Sequence, residues 1–232
     1  MDEAGTVPVG FNRGPWFGKL LAENGMDLHF ATPSYTSGTK GLQTGHVLLE
    51  PKSQEEFDRM KGRLKGAWVL ITGKSEGWPI DFSEKANLRR DSLIAANIEI
   101  RKKNGEIEAE NRKAGNGGVK KDLLPLADEP ALFYKQMKDA GILGIIQSAP
   151  VPIRVLYDRK NLDQMTFETL PTLPDIKLDE HQYSIIEQMA KERRNFFLEF
   201  DIRNHFKMGP VKYYNVIGVI PGTKYPDEIV MM

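Results

Sequence analysis

Two apolar runs stand out along the chain: Ala67-Trp68-Val69-Leu70-Ile71, set between Gly66 and Gly73, and Ile142-Leu143-Gly144-Ile145-Ile146, which follows Gly141. Runs without polar alternation belong to strands covered on both faces, and that places both inside a sheet. Gln43–Glu50 reads as a further strand, ended by Pro51. Ser53 and Glu56 then form a capping box ahead of Phe57 and Met60, predicting a helix over 54–64. Asp179 to Tyr183 start a helix with Ile185, Ile186 and Met189 as its core positions, and Asn195–Arg203 alternates like a strand buried on one face.

The remaining pattern is less regular. Residues 1–40 are rich in Gly, Pro, Ser and Thr and read as an irregular arm, pinned by Trp16, Phe17, Phe30 and Tyr35, with strand-like alternation only over Met26–Ala31. From Ser83 to about residue 103, Leu88, Leu93, Ile94, Ala95, Ile98 and Ile100 recur at near-helical spacing. Asn104-Gly105 interrupts that stripe and Gly115–Gly118 reads as an exposed turn, so residues 74–125 are expected to be a helical insertion. Asp128-Glu129-Pro130 is a favourable helix start for a core face of Phe133, Met137 and Ala140. Val151–Tyr157, with Pro152 near its start, suits an edge strand.

Composition narrows the class. The 232 residues are 40% hydrophobic and 28% charged, with 32 basic and 32 acidic side chains. Zero net charge argues against a nucleic-acid partner, and no apolar run approaches the roughly 20 residues of a membrane helix. Without cysteine there is no disulfide, thiolate metal site or cysteine nucleophile. Met1–Gly5 lacks the basic and apolar regions of a signal peptide. The terminal Ile229-Val230-Met231-Met232 reads as an opening strand with no sheet of its own, as in an excised fragment.

The last twenty residues carry a resemblance. Asn215-Val216-Ile217-Gly218-Val219-Ile220-Pro221-Gly222-Thr223, a short loop and Asp227-Glu228-Ile229-Val230-Met231-Met232 resemble the first two strands of the catalytic domain in di-zinc exopeptidases of the aminopeptidase and carboxypeptidase Q type. Upstream, the strand–helix–strand order over 43–73, the segment Ala140-Gly141-Ile142-Leu143-Gly144-Ile145-Ile146 and the strand Leu170–Leu178 are similar to the protease-associated domain of that family. Ile142 stands where alanine is common. The resemblance implies an α+β fold with a mixed, barrel-like sheet of the swivelling β/β/α type. It implies an arm at 1–40, a protease-associated domain at 41–212 and the first strands of a zinc peptidase domain at 213–232.

It implies a non-catalytic accessory role, restricting access to a peptidase active site or helping substrate bind. Catalytic and metal residues, and the zinc itself, would then lie in the parent peptidase domain, so none is assigned to this chain. The implied partners are that domain, its peptide substrate and a second copy paired through the C-terminal strand. The implied location is extracytoplasmic, periplasmic or secreted.

Other chemistry competes for a few residues. Gly73-Lys74-Ser75-Glu76-Gly77 matches the nucleophile elbow of serine hydrolases and follows a strong strand, with Asp158 or Asp175 and His181 or His205 as conceivable partners. The elbow needs a helix directly after its serine, and Pro79 opposes one. Gly73-Lys74-Ser75 also ends like a phosphate-binding loop, but Trp68 occupies the position of its first glycine. His29, His46, His181 and His205 show no metal-ligand spacing. Glu55-Glu56 resembles the acidic pair of the peptidase family yet belongs to the capping box. Trp16, Trp78, Tyr213 and Tyr214 are candidates for a channel or interface, while Arg89-Arg90 and Lys120-Lys121 read as solvated faces.

Overall fold

The runs that lack polar alternation do form the middle of a sheet. In the computed structural model, which describes residues 2–115, 118–150, 166–218 and 223–224, β1 is Asp2–Leu21, β2 Met26–Asp27, β3 Phe30–Ala31 and β4 Gln43–Leu49. Helix α1 (Gln54–Leu64) leads to β5 (Ala67–Lys74), and α2 (Glu84–Ala114) and α3 (Tyr134–Asp139) precede β6 (Gly144–Ala149). β7 (Asp175–Asp179), α4 (Glu180–Lys191) and β8 (Phe197–Asn215) complete the order. The fold is mixed α+β: one eight-stranded sheet in the order β2-β1-β8-β4-β5-β6-β7-β3. Strands β4 to β7 are parallel to one another, and β8 and β3 flank them antiparallel.

Helices cover the parallel core on both faces, which is why its two central strands carry the apolar runs Ala67–Ile71 of β5 and Gly144–Ile146 of β6. On one face Trp68, Leu70, Ile146, Ile176, Leu178 and Phe200 meet Tyr183, Ile186 and Met189 of α4. On the other, Val69, Ile71 and Ile145 pack under Phe57 and Leu64 of α1, Ile94 of α2 and Met137 of α3. Phe57 stacks on Phe133 with ring centroids 5.6 Å apart. Ser53 caps α1 by accepting from the Glu56 backbone N–H at 3.2 Å, and Asp179 caps α4 by accepting from the N–H groups of His181 and Gln182. Among the described residues no helix is long and apolar enough to cross a membrane.

The Ala-Gly-Ile-Leu-Gly segment has a packing reason. Gly144 opens β6 against Trp68, and a Cβ there would lie 2.7 Å from the indole and 2.8 Å from the Pro174 carbonyl oxygen. Trp68 cannot give way: it is fully buried, donates its Nε1–H to the Leu198 carbonyl at 3.1 Å and meets Phe200 edge-on. Gly144→Ala is therefore expected to cost about 1–3 kcal/mol by overpacking, read as a lower urea midpoint with an unchanged slope.

Four expectations are corrected. The N-terminal arm is not irregular: Asp2–Leu21 forms a twenty-residue strand paired with β8 from Leu21↔Phe197 to Asp2↔Asn215. Its prolines misled because they fall at register shifts, Pro8 between Val7 and Val9 and Pro15 between Arg13 and Trp16, where no ladder hydrogen bond is lost. Asn104-Gly105 does not end the second helix, which continues to Ala114 before Gly115 turns at φ +65°. Asp128 and Glu129 do not open the third helix, which starts at Tyr134; they pair with Lys52 and with Arg89 and Arg90. Arg90 is buried rather than solvated, donating to the Asp81 carbonyl at 2.6 Å and lying over the Tyr134 ring.

Candidate functional site

Three features of the described residues bear on function. The first is the carboxyl edge of the parallel strands, where open α/β sheets hold ligands. A cleft of about 710 Å³ there is lined by Lys74, Ser148, Asp179, His181, Ser184 and Glu187, among others. Its groups are already engaged with the fold. Lys74 pairs with Glu180 at 3.2 Å, and the Asp179 carboxylate occupies the N-terminus of α4. The Tyr183 hydroxyl donates to the Ile71 carbonyl at 2.7 Å, and burial raises its pKa, with Glu187 and Glu50 adding to the shift.

Ser75 lies beside this cleft and is not a nucleophile elbow. No helix follows it until Glu84. Its hydroxyl accepts from the Gly77 N–H at 3.0 Å and donates to the Trp78 carbonyl, closing a local turn. Among the described residues no serine hydroxyl is hydrogen-bonded to a histidine ring. Asp175 accepts from the Ile80 N–H at 2.8 Å, and Asp158 lies outside the described residues. Among the described residues the serine-hydrolase arrangement is thus not formed.

The histidines are dispersed. His46 Nε2 lies 2.7 Å from the Arg63 carbonyl, His29 precedes β3, His181 is in the first turn of α4, and His205 is on β8 opposite Asn12. Among the described residues no cluster of three or more His, Asp or Glu could hold a metal ion. Glu56 accepts from the Lys52 N–H, and Glu55 lies in the first turn of α1. Trp16 packs against Phe30, and Tyr213 and Tyr214 continue β8, half exposed opposite Gly5 and Glu3. The strand expected at Val151–Tyr157 and the apolar end at 229–232 lie outside the described residues.

The second is two separate buried charged sites that sequence reading missed. Lys177, fully buried, lies 2.8 Å from Asp175 Oδ1 and donates to Gln147 Oε1 at 3.1 Å. Glu50, at the end of β4, accepts from the Thr72 N–H and hydroxyl and from the Ala131 N–H. Lys52 pairs with it at 2.9 Å. Burial works against the Lys52 charge, but Glu50 and Asp128 outweigh it and leave its pKa raised.

The third is the long β1–β8 ribbon. β4 pairs with β8 only as far as Phe200; from Asp201 to Asn215 the one described strand paired with β8 is β1, with Thr39 bonding Ile202 on the other edge. At about 3.3 Å per residue these fifteen residues reach up to roughly 45 Å. Val9, Tyr35 and Leu170, with Phe11 and Phe206, cover one face of its inner half. Its outer half is exposed at Met208, Tyr213 and Tyr214, and Lys212 pairs with Glu3.

No family model matches the sequence, and a search of curated proteins finds no match. Solved structures similar to the chain include a peptidase M28 precursor from Shewanella amazonensis, with TM-score 0.46 and 14% identity over 97% of this chain and 42% of that one. An aminopeptidase from Aneurinibacillus gives 0.43 and 7%, over 85% of this chain and 34% of its own. A zinc aminopeptidase from Bacillus subtilis gives 0.36 and 13% over the same shares. The chain thus spans less than half the length of these proteins. At such scores the likeness carries no weight in the functional reading.

Proposed function

We propose that the chain is the accessory, protease-associated portion of a zinc-dependent exopeptidase, held beside the catalytic domain through the β1–β8 ribbon. The observation that carries this reading is the ribbon. It brings Asp2 and Asn215 side by side at one exposed end, away from the parallel core, as a two-stranded stalk would. The family resemblance supplies the other support: a strand, helix, strand start, the segment Ala140–Ile146 and the peptidase-like stretch from Asn215. The fold type is then the swivelling β/β/α domain, with residues 213–232 leading into the peptidase domain, and the location is extracytoplasmic.

In this role the body limits which chain ends reach a metal site and excludes water from it. Zinc and its ligands belong to the parent domain. The partners are that domain and its peptide substrate, and a second copy can pair through residues 227–232. The test is the reading frame past Met232 together with activity. The proposal expects a Gly-x-His-x-Asp segment directly downstream. It also expects the peptidase made without residues 2–212 to lose its discrimination between short and long peptides. A frame lacking that segment, or unchanged discrimination, contradicts it. Ester hydrolysis by this chain that Ser75→Ala abolishes would also contradict it.

A further inference from the structure

Asn97, Asn104 and Asn111 are spaced seven residues apart along α2, and each holds one residue of the segment running back beside the helix. The Asn97 Nδ2 donates to the Ala127 carbonyl, and its Oδ1 accepts from the Ala127 N–H, both at 2.8 Å. Asn104 does the same with Leu124 at 2.9 and 2.8 Å. Asn111 does so with Lys121, both bonds at 2.8 Å. Three carboxamides therefore each bond the backbone N–H and C=O of one residue, through both donor and acceptor, and read no side chain.

The spacing identifies the shape of the segment. A β-strand returns to the same side every second residue, whereas contacts here recur every third, the period of an extended polyproline-type helix. Three such residues rise about 9.3 Å and seven helical residues about 10.5 Å, so the two repeats run nearly in step. Pro125 sits between two read positions, where no N–H is required.

Little else holds the segment. Residues 118–126 are all exposed, Val119 to 94% of its surface, and Leu123, Leu124 and Leu126 also face outward. Lys121 adds only an exposed ion pair with Glu110. Leu123, Leu124 and Leu126 keep 49%, 41% and 37% of their surface exposed, and segments with exposed backbone bonds and no fully buried apolar side chain occupy the low end of local stability.

We propose that the asparagine ladder of α2 is a binding site for an extended peptide, and that residues 118–127 are its built-in, exchangeable occupant. The ligand is a stretch of at least seven residues presenting free N–H groups at every third position. Proline is excluded at those positions and tolerated between them. The inference does not rest on the peptidase reading, because its tests use this chain alone.

A fluorescent peptide copying residues 118–128 is the probe. It should bind the Lys121→Pro/Leu124→Pro chain at least about tenfold tighter than the unaltered chain, since the tethered competitor is weakened. Adding Asn104→Ala and Asn111→Ala should abolish that binding. A probe with proline at positions 121 and 124 should not bind, whereas one with Asp122→Pro should bind undiminished. Equal weak binding to both proteins, or binding that survives loss of both asparagines, overturns the proposal. Hydrogen exchange on the unaltered chain gives a second reading. The amides of Lys121, Leu124 and Ala127 should exchange more slowly than those of Lys120, Asp122, Leu123 and Leu126, by an opening insensitive to low urea. Exchange of all the segment's amides in step with β5 would make it a fixed part of the core and overturn the proposal.

Discussion

Lys177→Met is expected to lower the unfolding free energy by roughly 3–5 kcal/mol, the usual cost of leaving one member of a buried ion pair alone. The ammonium it removes is fully buried, 2.8 Å from Asp175 Oδ1. Methionine matches the lysine stem in volume, so little of the loss is a cavity effect. What remains is a carboxylate at 5% exposure whose second oxygen accepts from the Ile80 N–H. Asp175→Asn placed on top of Lys177→Met should restore at least about 1 kcal/mol, because the amide keeps that acceptor without a net charge to desolvate. Urea unfolding of the two single variants and the double variant measures the coupling. Additive losses would contradict the assignment of the pair as mutually dependent.

Glu50→Ala should cost a similar amount, roughly 3–5 kcal/mol, for a different reason. It leaves three donors unsatisfied: the Thr72 N–H at 2.9 Å, the Thr72 hydroxyl at 2.6 Å and the Ala131 N–H at 2.8 Å. The last of these holds Ala131 at φ 56°, a left-handed conformation that costs a non-glycine residue of order 1 kcal/mol and persists only where neighbours fix it. Glu50→Gln, which keeps an acceptor, should lose much less.

The same site sets an alkaline limit. The pKa of Lys52 is raised above its ordinary 10.5, so its contribution is complete below that pH and is lost as pH rises through the folded value. Glu50→Ala should flatten that alkaline decline; an unchanged profile would detach Lys52 from it. Lys52 is a third exposed, so the effect is modest and weakens with salt.

These residues also mark where the sequence stops being legible. The central strands could be read because burial on both faces leaves a continuous apolar run between glycines, at Ala67–Ile71 and again after Gly141. A strand at Leu170–Leu178 was legible only through the family resemblance, and β7 itself starts at Asp175, with a polar face the resemblance did not describe. Asp175 and Lys177 look like a solvated edge, and nothing local says that each is buried against the other. β1 was hidden because its strand character comes from β8, whose backbone satisfies it, and not from its own residue types. Asn104-Gly105 reads as a helix break because asparagine and glycine are poor helix formers. The bonds from Asn104 to Leu124 offset that preference. The seven-residue spacing of Asn97, Asn104 and Asn111 gave no sign of the segment that meets it. The candidate site was the least legible part, since Gly73–Gly77 copies a motif whose meaning depends on a helix that the chain starts only at Glu84.

The central claim, that this chain serves a zinc exopeptidase without supplying its chemistry, is tested most directly by zinc content and aminoacyl-substrate turnover. Both are measured on this chain and on the polypeptide from its whole reading frame, with and without added zinc. This chain is expected neither to retain zinc nor to turn over substrate, while the longer polypeptide does both and loses turnover on chelation. Zinc-dependent turnover by residues 1–232 alone, or a longer polypeptide that neither binds zinc nor cleaves aminoacyl substrates, would contradict it.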